Sequence, residues 1–301
     1  ELKEQVKTLF DLLMESADKH QNVLLPGYTH LQIAMPSSFG MWFSAYAETL
    51  IDDITMLNAA LKIVNQNPLG SAAGYGSSFP INRTFTTEEL GFETLKFNSV
   101  AAQMSRGKSE KTVAFAMSSV AATLSKFAMD VCLYMSQNFD FISLPAHLTT
   151  GSSIMPHKKN PDVFELIRGK CNKIQALPYE ITLITNNLPS GYHRDLQLLK
   201  EGLFPAIQNL KACLDIAIFS IKDIKVKDNI LADKKYNYLF TVDTLNEMVV
   251  AGIPFRDAYK AVAEQLENGS FQSPKETKHT HEGSINNLCL EAIKEKMKRS
   301  Y

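Results

Sequence analysis

Apolar residues recur every three or four positions along most of the chain, which is the spacing of one face of an α-helix. Residues 1–22 show this spacing, with charged side chains at most other positions. Residues 41–66 contain neither Gly nor Pro, and a longer apolar stripe begins just before them; it is formed by Phe39, Phe43, Tyr46, Leu50, Ile54, Leu57 and Leu61. Both segments are therefore predicted to be amphipathic helices of a bundle.

Two later segments predict more deeply packed helices. Residues 111–136 carry only three charged side chains and are rich in Ala and Ser, which let neighbouring helices approach closely and favour a place at the bundle centre. From Leu203 to Ile221, apolar residues alternate at steps of four and three, as in a coiled-coil seam. That seam indicates a partner helix, and it is consistent with assembly of several chains into one bundle.

The pattern predicts an all-α fold in two parts. No alternating strand pattern of useful length is present. After the polar stretch 225–237, Gly252 and Pro254 separate two shorter helices. We therefore predict a central helical-bundle domain over 1–230, with a catalytic loop at 150–162, and a small carboxy-terminal helical domain over 231–301. A monomeric bundle whose seams are all internal is the alternative to an oligomer.

Composition narrows the class of protein. The 301 residues are 45% hydrophobic and 21% charged, which suffices for a large core. Lys and Arg number 31 against 32 Asp and Glu, so no overall field favours nucleic acid or an anionic membrane. The four cysteines form no CxxC pair, which favours free thiols in the cytoplasm over zinc or disulfides. Neither a signal peptide nor a membrane span is expected.

The segment 150–162 interrupts the helical pattern with residues suited to turns and to binding. Asn160 followed by Pro161 is typical of a helix cap and a first helical position. The free N–H groups of a helix start, with Lys158 two residues before the cap, predict an anion site. On composition alone, a surface turn with a solvated lysine is the alternative.

The string GSSIMPHKKNP at 151–161 resembles the GSSxMPxKxNP signature of the fumarase/aspartase superfamily. The resemblance implies that fold, with long central helices. It also implies that Ser152, the first serine of the pair, removes a proton, while Lys158 and Asn160 bind the substrate carboxylate. No metal or organic cofactor is implied.

The string PGYTHLQ at 26–32 resembles a second motif of the superfamily. The resemblance implies that Thr29 and His30 contact substrate and that the histidine pairs with a glutamate matching Glu165. Glu165 has apolar neighbours on both sides along the chain, so we expect it to be partly buried and to need a partner. Taken alone, a histidine such as His30 is more often a packed or capping residue than a site residue.

The segment from Asn67 to Gly70 resembles an NPLG element of the family, and Arg83 matches an arginine that contacts substrate. Without the resemblance, this segment is only a long connection between helices. Asn98-Ser99 resembles a further element, but the acidic Ser-Asp-Arg-Asp run that follows it in the family stands here as SRGK at 105–108. We assign that run no role.

The string YHRDLQLLKE at 192–201 resembles YNRDLQEDKE, which is typical of the argininosuccinate lyase family. It implies substrate contacts by Tyr192, Gln197 and Lys200, the last two on one side of a helix beginning near Asp195. This chain differs from that pattern at three positions: His193 replaces Asn, and Leu198 and Leu199 replace Glu-Asp. We assign no substrate contact to these three side chains.

The implied reaction is reversible β-elimination of argininosuccinate to arginine and fumarate by a homotetramer whose sites are shared between chains. Ser152 is the expected base and His30, tuned by Glu165, the expected proton donor to the leaving nitrogen. His157 resembles the adenylosuccinate lyase form of the loop, so that enzyme is the alternative, with fumarase and aspartase further behind. A non-catalytic, crystallin-like or truncated homologue is the alternative outside enzymes.

The resemblance extends over the whole chain, with one absence. Family members carry an amino-terminal domain with a Ser-Arg-Asn-Asp motif whose Arg and Asn contribute to the site, and nothing in these residues matches it. Because the first residues already read as a regular helix, we expect either a fragment or a truncated homologue.

Overall fold

The computed structural model describes residues 1–274 and 277–301. Its helices are α1 Leu2–Lys19, α2 Phe39–Val64, α3 Arg83–Glu89, α4 Ser99–Met104, α5 Lys108–Met135, α6 Asp162–Ile174, α7 Leu177–Thr185, α8 Leu199–Ile221, α9 Thr241–Val250, α10 Phe255–Glu267 and α11 Leu290–Ser300. The short strands are β1 Leu24–Thr29, β2 Gln32–Ser38, β3 Gln66–Asn67, β4 Thr94–Leu95, β5 Ile142–Ser143 and β6 Lys225–Val226. The predicted helical class is confirmed, with small two-stranded additions.

The helix α5 lies at the centre of the bundle, as its Ala-rich sequence predicts. It packs against α2, α6, α7 and α8. Ala114, Ala121 and Ala128, spaced seven residues apart, are completely buried and form one small-residue stripe. Because alanine adds little bulk, neighbouring helices approach this stripe closely.

The chain runs back and forth along the bundle, so its connections collect at two ends. We call one the hairpin end; it holds β1, β2 and residues 136–161. We call the other the distal end; it holds residues 65–107 and 186–198. The 28 residues of α5 join the two ends and extend over about 42 Å.

Contacts across each end support this assignment. At the hairpin end, Tyr28 of β1 lies with its ring centroid 5.2 Å from that of Phe139, just beyond α5. At the distal end, Arg106 Nη2 donates to the Leu196 carbonyl at 3.0 Å. Residues far apart in sequence therefore meet at the same end of the bundle.

A hairpin that sequence periodicity did not predict joins α1 to α2. β1 and β2 pair antiparallel, with Thr29 opposite Gln32 and a two-residue turn at His30 and Leu31. Both turn residues have left-handed backbone angles, φ 53° and 58°, which are uncommon for residues other than glycine. Apolar and polar residues do not alternate along β1, so the period that marks a strand is missing.

The apolar seam of α8 is occupied within the same chain. Leu203, Leu210 and Leu214 are buried, and α8 packs against α1, α5 and α6. The predicted partner helices are therefore present, but this seam gives no argument for a second chain. The opposite face of α8 carries exposed Phe204, Ile216 and Phe219.

Two helical segments, Lys108–Met135 and Arg194–Ile221, are long and apolar enough to cross a membrane by length and composition alone. In the first, 56% of the apolar window is buried inside the bundle. Both segments contribute residues to the same hydrophobic core. Their length and apolar composition are explained by their packing in the core of the bundle.

The last part of the chain packs in two places. α9 and α10 form a small cluster around Leu245, Ala258 and Val262. α11 instead returns to α1 and α2, and its Ile293 and Met297 join the main core. The division of the chain at residue 231 stays a prediction.

Candidate active site

The segment that carries the serine pair is a loop closed at its base. Backbone hydrogen bonds join Thr150 N to Asn160 O at 3.3 Å and Asn160 N to Thr150 O at 2.9 Å. Inside the loop, Ser152 Oγ accepts hydrogen bonds from Met155 N at 3.1 Å and from Ile154 N at 3.4 Å. Ser152 is half-buried. The two N–H donors fix the position of its hydroxyl oxygen.

Lys158 lies on the same loop, and its backbone N–H donates to Met155 O at 3.0 Å. Its side chain is exposed and forms no ion pair with any residue that the structure describes. The loop therefore presents one hydroxyl supported by amide donors and one uncompensated cation. Such a set of donors favours an anionic ligand or a developing negative charge.

The predicted cap at Asn160 is wrong. α6 begins at Asp162, and Pro161 rather than Asn160 is the residue before its first turn. Asn160 is drawn away from the helix because its backbone pairs with Thr150, while its side-chain amide donates to Thr150 Oγ1 at 3.5 Å. Asp162 Oδ1 accepts from Thr150 N at 3.0 Å, so a carboxylate already lies at the start of the helix. The helix start therefore contributes less to an anion site than the sequence suggested.

Thr29 and His30 lie exposed at the tip of the hairpin. The residue before them, Tyr28, fixes the hairpin to the body of the protein: its hydroxyl lies 3.4 Å from that of Tyr236, and its ring packs edge-on against Phe139. Burial and the Tyr236 hydroxyl raise the pKa of Tyr28, so it stays neutral. In the sequence, the only signal for this anchor is the place of Tyr28 next to Thr29 in the motif.

The prediction that Glu165 is partly buried is wrong. Phe164 and Ile167 face the core, and Glu165, about 100° further round the helix than Phe164, is exposed. Apolar neighbours in sequence indicate burial only in a helix that is surrounded on all sides, but α6 is amphipathic. Within the described part of the chain, no hydrogen bond or ion pair joins His30 to Glu165.

At the distal end, Gln197 Nε2 donates to the Tyr192 hydroxyl at 2.9 Å. A 3₁₀ turn over Arg194–Gln197 leads directly into α8, so the predicted helical start near Asp195 is confirmed. Lys200 lies exposed in the first turn of α8. Tyr192 and Gln197 are thus prearranged as a pair, with the Lys200 ammonium one turn further along.

Arg83 is held by three backbone carbonyls. Its Nε donates to Leu69 O at 2.7 Å, Nη2 to Lys96 O at 2.7 Å and Nη1 to Phe97 O at 2.9 Å. A Cβ at Gly70, which has φ +77°, would lie 2.8 Å from Arg83 Cγ. The guanidinium therefore fastens the connection between α2 and α4, a contact set that the sequence could not reveal.

The structure divides the predicted site residues into two groups, which share no contact. The hairpin end holds Ser152, Lys158, Asn160, Thr29, His30 and Glu165. The distal end holds Arg83, Tyr192, Gln197 and Lys200. The bundle separates the groups by about 40 Å, the length of α5. One chain by itself cannot bring both groups to one small substrate.

Comparisons with known proteins place the chain in a family. A family model described as lyase matches residues 1–176. Argininosuccinate lyase of Parabacteroides distasonis is 61% identical over 293 residues, which cover 97% of this chain and 66% of that protein. The enzyme of the same name from Bacteroides fragilis is 58% identical over 300 residues, covering 100% of this chain and 67% of the relative. The chain belongs to the argininosuccinate lyase family. It spans about two thirds of the length of these argininosuccinate lyases.

Solved structures share the fold at low identity. An EDDS lyase variant with bound fumarate superposes with a TM-score of 0.85 at 20% identity, covering 99% of this chain and 67% of that one. A class II fumarase from Schistosoma mansoni gives 0.76 at 19% identity, covering 100% and 66%. The predicted fumarase/aspartase type of helical bundle is therefore confirmed for this argininosuccinate lyase family member.

Proposed function

We propose that the protein catalyses reversible β-elimination of argininosuccinate to arginine and fumarate. The observation that carries this proposal is the closed loop 150–160, which places Ser152, its two amide donors and the uncompensated Lys158 on one short segment. The names of the relatives, at 58–61% identity, support the choice of substrate.

Proton removal is the step that this loop supports. Ser152 Oγ takes the proton from the carbon next to a substrate carboxylate. A serine hydroxyl is a weak acid, so its anion needs stabilisation, which the N–H groups of Ile154 and Met155 supply. Removal of the proton leaves a carbanion, whose negative charge spreads onto the neighbouring substrate carboxylate. The Lys158 ammonium stabilises that charge.

The leaving nitrogen then takes a proton, and His30 is the proposed donor. His30 and Glu165 are both exposed at the hairpin end and do not touch within the described chain. We therefore assign their pairing to a contact between copies, in which the carboxylate of one copy orients the imidazole of another.

The proposed assembly is a cytoplasmic homotetramer with shared sites. Because the two groups of site residues lie at opposite ends of the bundle, a complete site requires copies that pack antiparallel. The hairpin end of one copy then meets Tyr192, Gln197 and Lys200 at the distal end of another. The proposed mechanism uses side chains and the two backbone N–H groups of the loop, with neither metal nor organic cofactor, and needs neither nucleic acid nor a membrane.

The test is a pair of serine variants of the whole protein. With saturating argininosuccinate and fumarate absorbance as the readout, Ser152→Ala should lower kcat by roughly 10²-fold or more, since it removes the general base. Ser153→Ala is the matched control, because Ser153 is exposed, adjacent and equally small. A Ser152→Ala protein that retains more than about a tenth of the wild-type rate would remove this serine as the base.

A further inference from the structure

A cavity of about 320 Å³ opens at the distal end, between the start of α5 and the segment that precedes α8. Lys108, Lys111 and Arg106 line it on the α5 side, and Leu188, Gly191 and His193 on the other. No Asp or Glu is among its lining residues. The cavity is therefore walled by cationic, neutral polar and apolar groups.

The charges in this wall are not all free. Arg106 pairs with Glu110, at 3.4 Å between Nε and Oε1, and also donates to the Leu196 carbonyl. Lys108 and Lys111, by contrast, form no ion pair with any residue in 1–274 or 277–301. They are three residues apart on one helix, so both ammonium groups lie on the same side of it. The cavity thus holds about two uncompensated positive charges.

The wall that carries the lysines is fixed. Gly107, at φ +80°, precedes α5, and a Cβ there would lie 2.5 Å from Thr185 Cγ2. Its N–H donates to Glu110 Oε2 at 2.6 Å. The close approach of the start of α5 to the end of α7 therefore fixes the position of the Lys108 backbone.

The sequence of this wall departs from the family pattern. Where the family pattern has Ser-Asp-Arg-Asp, this chain carries SRGK at 105–108, so both acidic positions are basic here. One of them, Lys108, supplies an uncompensated charge of the cavity, whereas Arg106 is paired with Glu110. This departure from the pattern therefore lies in the wall of the cavity.

We propose that this cavity binds a small multivalent anion, of the dicarboxylate or phosphate class, through Lys108 and Lys111. A dianion compensates both ammonium groups, and each charged hydrogen bond is stronger than a neutral one. The volume suits a ligand of that size and excludes a polyanion such as nucleic acid. The proposal does not depend on elimination at Ser152, because binding is measured without turnover.

The test is calorimetric titration of the whole protein with inorganic phosphate and with succinate, at constant ionic strength. We expect saturable binding that weakens by about tenfold or more in the Lys108→Gln/Lys111→Gln double variant. Lys126→Gln is the matched control, because Lys126 is exposed on α5 about 27 Å from Lys108 and forms no ion pair within the described residues. Its loss should leave binding unchanged. Whichever of the two anions binds more tightly identifies the class.

Three results would overturn the proposal: no saturable binding of either anion, unchanged binding in the double variant, or an equal loss in Lys126→Gln. If the double variant does not fold, acetylation of the wild-type lysines decides instead, with phosphate or succinate expected to slow modification of Lys108 and Lys111 but not of Lys126. Normal turnover without anion binding would contradict only this inference, and anion binding without turnover would contradict only the proposed reaction.

Discussion

The separation of the two groups of site residues can be tested by mixing inactive variants. Ser152→Ala removes the proposed base at the hairpin end, and Lys200→Met removes a proposed substrate contact at the distal end. Alone, Ser152→Ala should keep about a hundredth of wild-type activity or less, and Lys200→Met about a tenth or less. Since the bundle places Ser152 and Lys200 about 40 Å apart, a site that needs both must take them from different copies. Mixed assemblies therefore contain some sites in which both residues are intact.

The size of the recovery follows from this geometry. In an equal mixture with random exchange, half of the hairpin ends and half of the distal ends are intact. If each site takes the two residues from different copies, about one site in four has both, so about a quarter of wild-type activity should return. If each site took both residues from one copy, no mixed site would be complete.

The assay is fumarate absorbance after the two proteins are dissociated and reassociated together. Ser152→Ala mixed with Lys158→Met is the matched control, because both changes lie on the loop 150–160 of the same copy and no complete loop can form. Recovery near zero for the first pair, with subunit exchange demonstrated by mass, would refute the shared-site arrangement. Equal recovery by the control pair would refute the reasoning from loop geometry.

Three further predictions follow from single side chains. Lys200→Met should lower kcat/KM for argininosuccinate by about tenfold or more, because a closed site then leaves a carboxylate unpaired, and an unchanged value would remove the family-specific contact. Arg83→Lys keeps the charge but cannot reach three carbonyls at once, so limited proteolysis within 69–82 should become faster, whereas a residue that only contacts substrate would leave the cleavage rate unchanged. Burial raises the pKa of Asp53, which is 1% exposed with Oδ2 unpartnered, so the folded protein keeps a proton that the unfolded chain releases. Its contribution to the free energy of unfolding is full below the ordinary pKa of about 3.9 and is lost as the pH rises through the raised value. As the pH rises from about 4, urea midpoints of Asp53→Asn should therefore fall less than those of wild type, and parallel pH profiles would contradict this.

Much of the fold could be predicted from the sequence because amphipathic helices have a local hydrophobic periodicity. The stripes of α1, α2 and α8 and the alanines of α5 repeat within one helix, so burial imposes a period that needs no knowledge of distant residues. The chemistry proposed for the loop 150–160 has a different origin, since it rests on the resemblance of this short segment to a specific motif.

Features that depend on neighbours outside the local segment were not readable. The hairpin that carries His30 lacks strand alternation, and it is held by Tyr28 against Tyr236, 208 residues away in sequence. Glu165 has apolar neighbours along the chain, yet the helix turns it outward. Asn160 has a capping sequence, but its pairing with Thr150 removes it from the helix.

The sequence by itself therefore determined which residues are candidates for the chemistry, and the tertiary structure decided which of them can meet. The identity of a residue is a local property, whereas the distance between two site residues depends on how many times the chain crosses the bundle between them. An odd number of crossings separates the loop of Ser152 from the segment of Tyr192 and Lys200, so the two lie at opposite ends. The same crossings bring Lys108 and Lys111 beside His193 around one cavity, because two distant segments end at the same face of the bundle.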